Sequence, residues 1–168
     1  MLNSKQLYNF LLIPFVLLLQ VMVFNNLVVF NGLFPMIYII FILFYEAKEN
    51  NTFFLLLAFL LGIGLDMANY TLGLNAFACV LIAYLRPYVI QLVDRNSFFE
   101  ISNFSFSNFN LLQVFVYILL MSFIHHFAIY SLEAMKISLL INSIVKSLFN
   151  AVLSSLFIFI YTFLKNKH

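Results

Sequence analysis

The sequence predicts an all-α membrane protein, a polytopic bundle of about six transmembrane helices forming a single integral membrane domain over residues 1–168. Three observations lead there. Of the 168 residues, 65% are hydrophobic and 8% charged, against roughly 45 to 50% apolar and 25% charged in soluble domains; mean hydropathy is +1.07. The apolar residues fall into runs, several of them close to the about 20 helical residues that span a bilayer. The connections between runs are short. No stretch remains for a separate soluble catalytic or binding domain, so function has to reside inside the bundle, on its lipid-facing sides or on loops.

The first helix is expected at about 7–24. Lys5 precedes an apolar run from Leu7 to Phe24 that is longer than a signal-peptide core and ends in Asn25 and Asn26 without a small-residue cleavage pattern, which makes it a retained span. The second, about 33–45, is short, and its Pro35 suits a first helical turn better than an interior. The preceding NNLVVFNGLF fits a partly inserted, irregular stretch. The third, about 52–68, runs into the polar turn DMANYTLG, and the fourth, about 73–91, resumes at once. The fifth and sixth fall at about 110–130 and 137–164. Between them and the fourth lies the longest connection, LVDRNSFFEISNFSFSNFN, the Phe-rich loop 92–109. It reads equally well as an interfacial lipid-facing segment or as a plain loop in a Phe-rich chain.

Orientation follows from Lys and Arg in the connections. With both termini cytoplasmic, Lys5, Lys48, Arg86, Arg95, Lys165 and Lys167 fall inside and only Lys136 outside. The net charge of +2 comes without a basic run that could track nucleic acid, so nucleic acid is not an expected partner. The lone Cys79 excludes an intramolecular disulfide and reads as a small buried hydrophobe.

Ionisable groups within a span usually face the bundle interior or water. Asp66, the pair His125 and His126, and Lys146 qualify. At about 1.5 Å per residue from the cytoplasmic helix ends, Asp66 sits roughly 21 Å up, His125 roughly 22 Å and Lys146 roughly 27 Å. With Asn142 and Asn150 they make an expected outer-half polar cluster. On the last span Ser138, Asn142, Lys146, Asn150 and Ser154 recur every four residues, flanked by Ser143 and Ser147, giving a drifting polar stripe that serves either helix packing or a cavity or partner groove. For Asp66 two readings stand: a cap on the turn or on the next helix start, or an inward carboxylate paired with Lys146, with His125 as the alternative partner. Gly62 and Gly64, with Gly73 after the turn, read as sites of close helix approach.

His125 and His126 lie about 100° apart on a helix and cannot serve one metal from one face, and no cofactor is implied. No acid or base pair sits at the spacing that would converge on a substrate from one helix, so an intramembrane enzyme is the least supported reading of these residues, with convergence from different helices left open.

The segment GIGLDMANYTLGLNAFACVLIAYLRPYV, residues 62–89, resembles the rod shape-determining membrane protein MreD family. The resemblance rests on Gly64, Leu65 and Asp66, followed closely by Leu72, Gly73 and Leu74, with Arg86 and Pro87 closing the next helix on the cytoplasmic side. It implies a non-enzymatic scaffold subunit of the bacterial rod-shape complex in the inner membrane. Its partners would be MreC, membrane lipid and the other rod-complex proteins, namely MreB and the glycan polymerase and transpeptidase, helping to organise side-wall peptidoglycan synthesis; self-association into a homo-oligomer is left open. It also implies a fold similar to the substrate-binding component of energy-coupling-factor transporters. The alternative function is such a component itself, binding a vitamin-type small molecule in the outer-half cluster.

Overall fold

The computed structural model describes residues 4–27, 33–45, 51–94, 109–135 and 137–165. They form six α-helices: α1 Ser4–Met22, α2 Ile39–Leu43, α3 Asn51–Asn69, α4 Leu74–Val93, α5 Leu111–Ala134 and α6 Leu140–Lys165. Short 3-10 turns at Phe24–Asn26 and Ile137–Leu139 extend α1 and lead into α6. No β-strand occurs among the described residues. Helices α3, α4, α5 and α6 are each long and apolar enough to cross a membrane, and α1 adds a further apolar helix of 19 residues. This is a helical membrane protein.

Five of the six expected helices lie close to where the hydrophobic runs put them. The second does not. In place of a helix over 33–45, only the five residues Ile39–Leu43 are helical, and residues 33–36 carry no helical hydrogen bonding. The cause is local: Pro35 supplies no N–H and disfavours helical backbone at the residue before it. A helix of about 13 residues would reach only about 20 Å, whereas non-helical backbone advances up to about 3.3 Å per residue. Irregular backbone can thus reach further per residue than a helix.

The long helices pack in chain sequence, α3 against α1, α4 against α3, α5 against α4 and α6 against α5. They curl around the 33–45 segment, which fills the middle of the bundle. Ile39, Ile42 and Leu43 are wholly buried and Tyr38 nearly so, and they belong to one apolar core with Leu57, Leu61 and Leu65 of α3, Ile82 of α4, Met121 of α5 and Ile158 of α6. At the end of α2 the Tyr117 hydroxyl donates to the Leu43 carbonyl at 3.1 Å, occupying one of the acceptors that a helix C-terminus leaves open.

Close packing is set by glycine at two points. A Cβ on Gly62 would lie 2.4 Å from the Ala76 Cα, so α3 and α4 cross there at a distance that only hydrogen allows. Two residues on, and so on nearly the opposite face of α3, a Cβ on Gly64 would meet the Leu17 side chain of α1 at 2.5 Å. The expectation of close approach matches this geometry at Gly62 and Gly64 but not at Gly73, where an added Cβ would meet nothing within 4 Å and glycine serves a left-handed φ of +82° instead. Helix α5 opens with a reciprocal cap: Asn110 Oδ1 accepts from the Gln113 N–H and Gln113 Oε1 accepts from the Asn110 N–H, which satisfies two donors at the helix start.

Two expectations near the α4 end and in the loops are affected. Helix α4 does not close at Arg86 and Pro87 but continues to Val93, with Pro87 inside it. Proline is tolerated in an apolar span because packed neighbours re-satisfy the freed carbonyl. Most of the Phe-rich loop, together with Lys48, Arg95, Lys136 and Lys167 of the orientation argument, lies outside the described residues.

Candidate functional site

Asp66 shows why an aspartate ends an apolar span. Helix α4 begins after Gly73, which has φ +82° and offers no side-chain cap. The first amides of α4 would therefore be left without acceptors in a buried place. The Asp66 carboxylate reaches across the turn and supplies them: Oδ1 accepts from the Asn75 N–H at 3.0 Å and Oδ2 from the Ala76 N–H at 2.9 Å. Oδ1 also accepts from the Asn75 amide at 2.9 Å and from the Thr71 hydroxyl. A negative charge at a helix N-terminus is further favoured by the peptide dipoles.

The pairing of Asp66 with Lys146 is absent from this arrangement. The partners of the carboxylate are neutral donors from the turn and α4, while Lys146 is exposed on α6. His125 is connected to Asp66 only through two intermediaries. The Tyr38 hydroxyl lies 3.0 Å from both Asn75 Oδ1 and His125 Nε2. The central amide of Asn75 orients its neighbours but does not pass protons along as a hydroxyl or imidazole would, so the chain of bonds positions groups and does not relay charge.

A second set of buried polar side chains holds the non-helical backbone. Gln20 of α1 accepts from the Ile37 N–H at 2.9 Å and the Tyr38 N–H at 3.3 Å, and donates to the Pro35 carbonyl at 3.1 Å. From the opposite side, Asn150 Oδ1 accepts from the Phe34 N–H at 3.0 Å and Ser154 Oγ from the Met36 N–H at 2.9 Å. Unpaired backbone at membrane depth costs several kcal/mol per group, so irregular chain survives there only where protein satisfies it. Gln20 is also joined to Asn25, and Asn25 to Asn69 at the end of α3. His126 completes the set with Nε2 3.0 Å from Ser154 Oγ.

These contacts sort the expected cluster. Asp66, His125 and Asn150 belong to the buried layer; Asn142 and Lys146 are exposed on α6. Helical geometry explains the split. A four-residue repeat drifts by roughly 40° per step, so the stripe leaves the protein-facing side within two steps. The buried row runs instead through Ser143, Ser147, Asn150 and Ser154, spaced by four and three, which keeps one face. Of the family-motif positions, Leu65 is wholly buried and Leu72 is 99% exposed at the turn apex beside Tyr70 at 95%. Leu74 begins α4. Arg86 is buried with its guanidinium 5.4 Å from the centre of the Phe54 ring, a cation–π geometry.

Sequence reasoning missed Gln20, Tyr38, Thr71 and Asn75. Gln20 carried a usable signal, being a lone long polar side chain in an apolar run. Tyr38 carried none, since nothing in the pattern marks a hydroxyl that will meet Asn75 and His125 from two other helices. Among the described residues no three His, Cys, Asp or Glu side chains gather as metal ligands would.

Fold and site together define a polytopic helical membrane protein whose irregular inner segment is pinned by buried polar side chains. The chain matches no family model, no curated protein and no solved structure.

Proposed function

We propose that the chain is a non-enzymatic scaffold subunit of the MreD type, in the bacterial inner membrane with both termini cytoplasmic, binding MreC and helping to organise side-wall peptidoglycan synthesis with the other rod-complex proteins. The observation that carries this reading is how the motif residues are employed. Gly64, Leu65, Asp66, Leu72, Gly73 and Leu74 all lie at one hairpin between α3 and α4, whose polar groups are spent on backbone amides. A hairpin fixed in this way presents Tyr70 and Leu72 outward on a rigid base, which suits a docking platform better than a reactive centre. Crossing six times requires α1 and the 33–45 segment to serve as the first two passes, and the reach of non-helical backbone supports that.

The vitamin-transporter alternative needs room in the bundle for a substrate. Ile39, Ile42 and Leu43 occupy the middle, which weighs against it. The test is mild extraction of the full chain from a rod-shaped host that expresses it in place of its own MreD. Co-purification of the coiled-coil MreC together with restored rod shape is the expected result; recovery of an ATPase pair, or spherical cells despite normal abundance, would overturn the proposal.

A further inference from the structure

Three buried polar atoms on one turn of α5 have no hydrogen-bond partner among the described residues: Ser122 Oγ, His125 Nδ1 and His126 Nδ1. All three residues are wholly buried. On a helix Ser122 lies one turn below both histidines, angularly between them. The hydrogen-bond network assigns what each atom offers. Asn75 donates through its amide nitrogen to the acceptor-only Asp66 carboxylate, which turns Asn75 Oδ1 toward Tyr38. An amide oxygen only accepts, so the single Tyr38 hydroxyl proton goes to it. Tyr38 must then accept from His125, which places the His125 proton on Nε2 and leaves Nδ1 a bare acceptor.

The neighbouring ring is opposite. Ser154 Oγ already accepts from the Met36 N–H, and among the described residues its own proton has one acceptor, His126 Nε2. His126 therefore carries its proton on Nδ1, as a donor. A donor, an acceptor and a hydroxyl that can be either are thus turned out of the protein network within one helical turn.

We infer that Ser122, His125 and His126 form an internal water-binding site, in which water accepts from His126 Nδ1–H, donates to His125 Nδ1 and bonds the Ser122 hydroxyl. Two to four polar partners are what a buried water requires, and buried polar groups left unpaired lose their hydration without compensation. The two adjacent histidines hold opposite tautomers because the irregular segment pins one ring through Tyr38 and the other through Ser154.

The experiment is solid-state NMR on the full chain, labelled with 15N-histidine and reconstituted in lipid bilayers. Protonated and bare ring nitrogens resonate in separate ranges, and single His125→Gln and His126→Gln spectra assign the peaks; if either variant fails to fold, the wild-type spectrum still counts tautomers, with His168 identified by its removal. One Nε2–H ring and one Nδ1–H ring are expected, with transfer from water to the Nδ1 proton in water-edited spectra. Ser122→Val places a methyl group at the site and should abolish that transfer while keeping both tautomers. Two buried rings of the same tautomer, or an Nδ1 proton without water transfer in the wild type, would overturn the inference.

Discussion

Replacing Asp66 by alanine tests the cap directly. The change withdraws the acceptor from two main-chain amides, Asn75 N–H and Ala76 N–H, and from the side chains of Thr71 and Asn75. Each orphaned buried amide costs about 1 to 3 kcal/mol, while Thr71 lies in the turn, where water can replace its partner. An ordinary cap loss costs about 0.5 to 2 kcal/mol. The expected destabilisation of Asp66→Ala is therefore about 3 kcal/mol. Asp66→Asn keeps one acceptor oxygen and should cost about half as much. Lys146→Ala, on an exposed side chain, should stay within about 0.5 kcal/mol. Reversible unfolding of the purified protein by SDS in mixed micelles measures all three. If Lys146→Ala costs as much as Asp66→Ala, and the double variant no more than either, the carboxylate is an ion-pair partner and the capping argument fails.

Other substitutions separate the buried row of α6 from the exposed one. Asn150→Leu strands the Phe34 amide and should destabilise by about 1 to 3 kcal/mol, whereas Asn142→Leu should be neutral; the same unfolding assay reads both, and equal effects would contradict the assignment of faces. Gly62→Ala drives a methyl into the Ala76 backbone and should cost about 1 to 3 kcal/mol as overpacking, seen as reduced abundance and earlier thermal aggregation in detergent. Gly73→Ala meets nothing within 4 Å and should cost only the left-handed backbone strain of about 1 to 2 kcal/mol. Tyr117→Phe removes the bond to the Leu43 carbonyl and should cost about 1 kcal/mol without changing the helical circular dichroism.

Hydrophobic run length was enough to locate α1, α3, α4, α5 and α6, because in a bilayer each run must form its own backbone bonds and helices are the way a single segment does so. The same reasoning explains the failure at 33–45. There the bonds come from side chains of other helices, so the run carries no internal record of its conformation, and only Pro35 hinted at it. At the site, Asp66 as a cap was legible from its place beside a turn. The split of the α6 stripe was legible only in part, because the four-residue repeat caught the eye while the structurally relevant spacing alternates four and three. Tyr38 and Asn75 became recognisable only once three-dimensional neighbours were known.

The pins on the irregular segment also set an order of events during synthesis. Phe34 and Met36 receive their acceptors from residues 116 and 118 positions later in the chain, on α6, which leaves the ribosome after the five helices before it. Until α6 arrives those amides lack their final partners, and bare lipid would be a poor place to hold them. The segment is therefore expected to wait at the water interface or inside the insertion machinery, entering the bundle only when α6 docks. A ribosome stalled before residue 150 should accordingly leave residues 33–38 reachable by water-soluble reagents that the finished protein excludes.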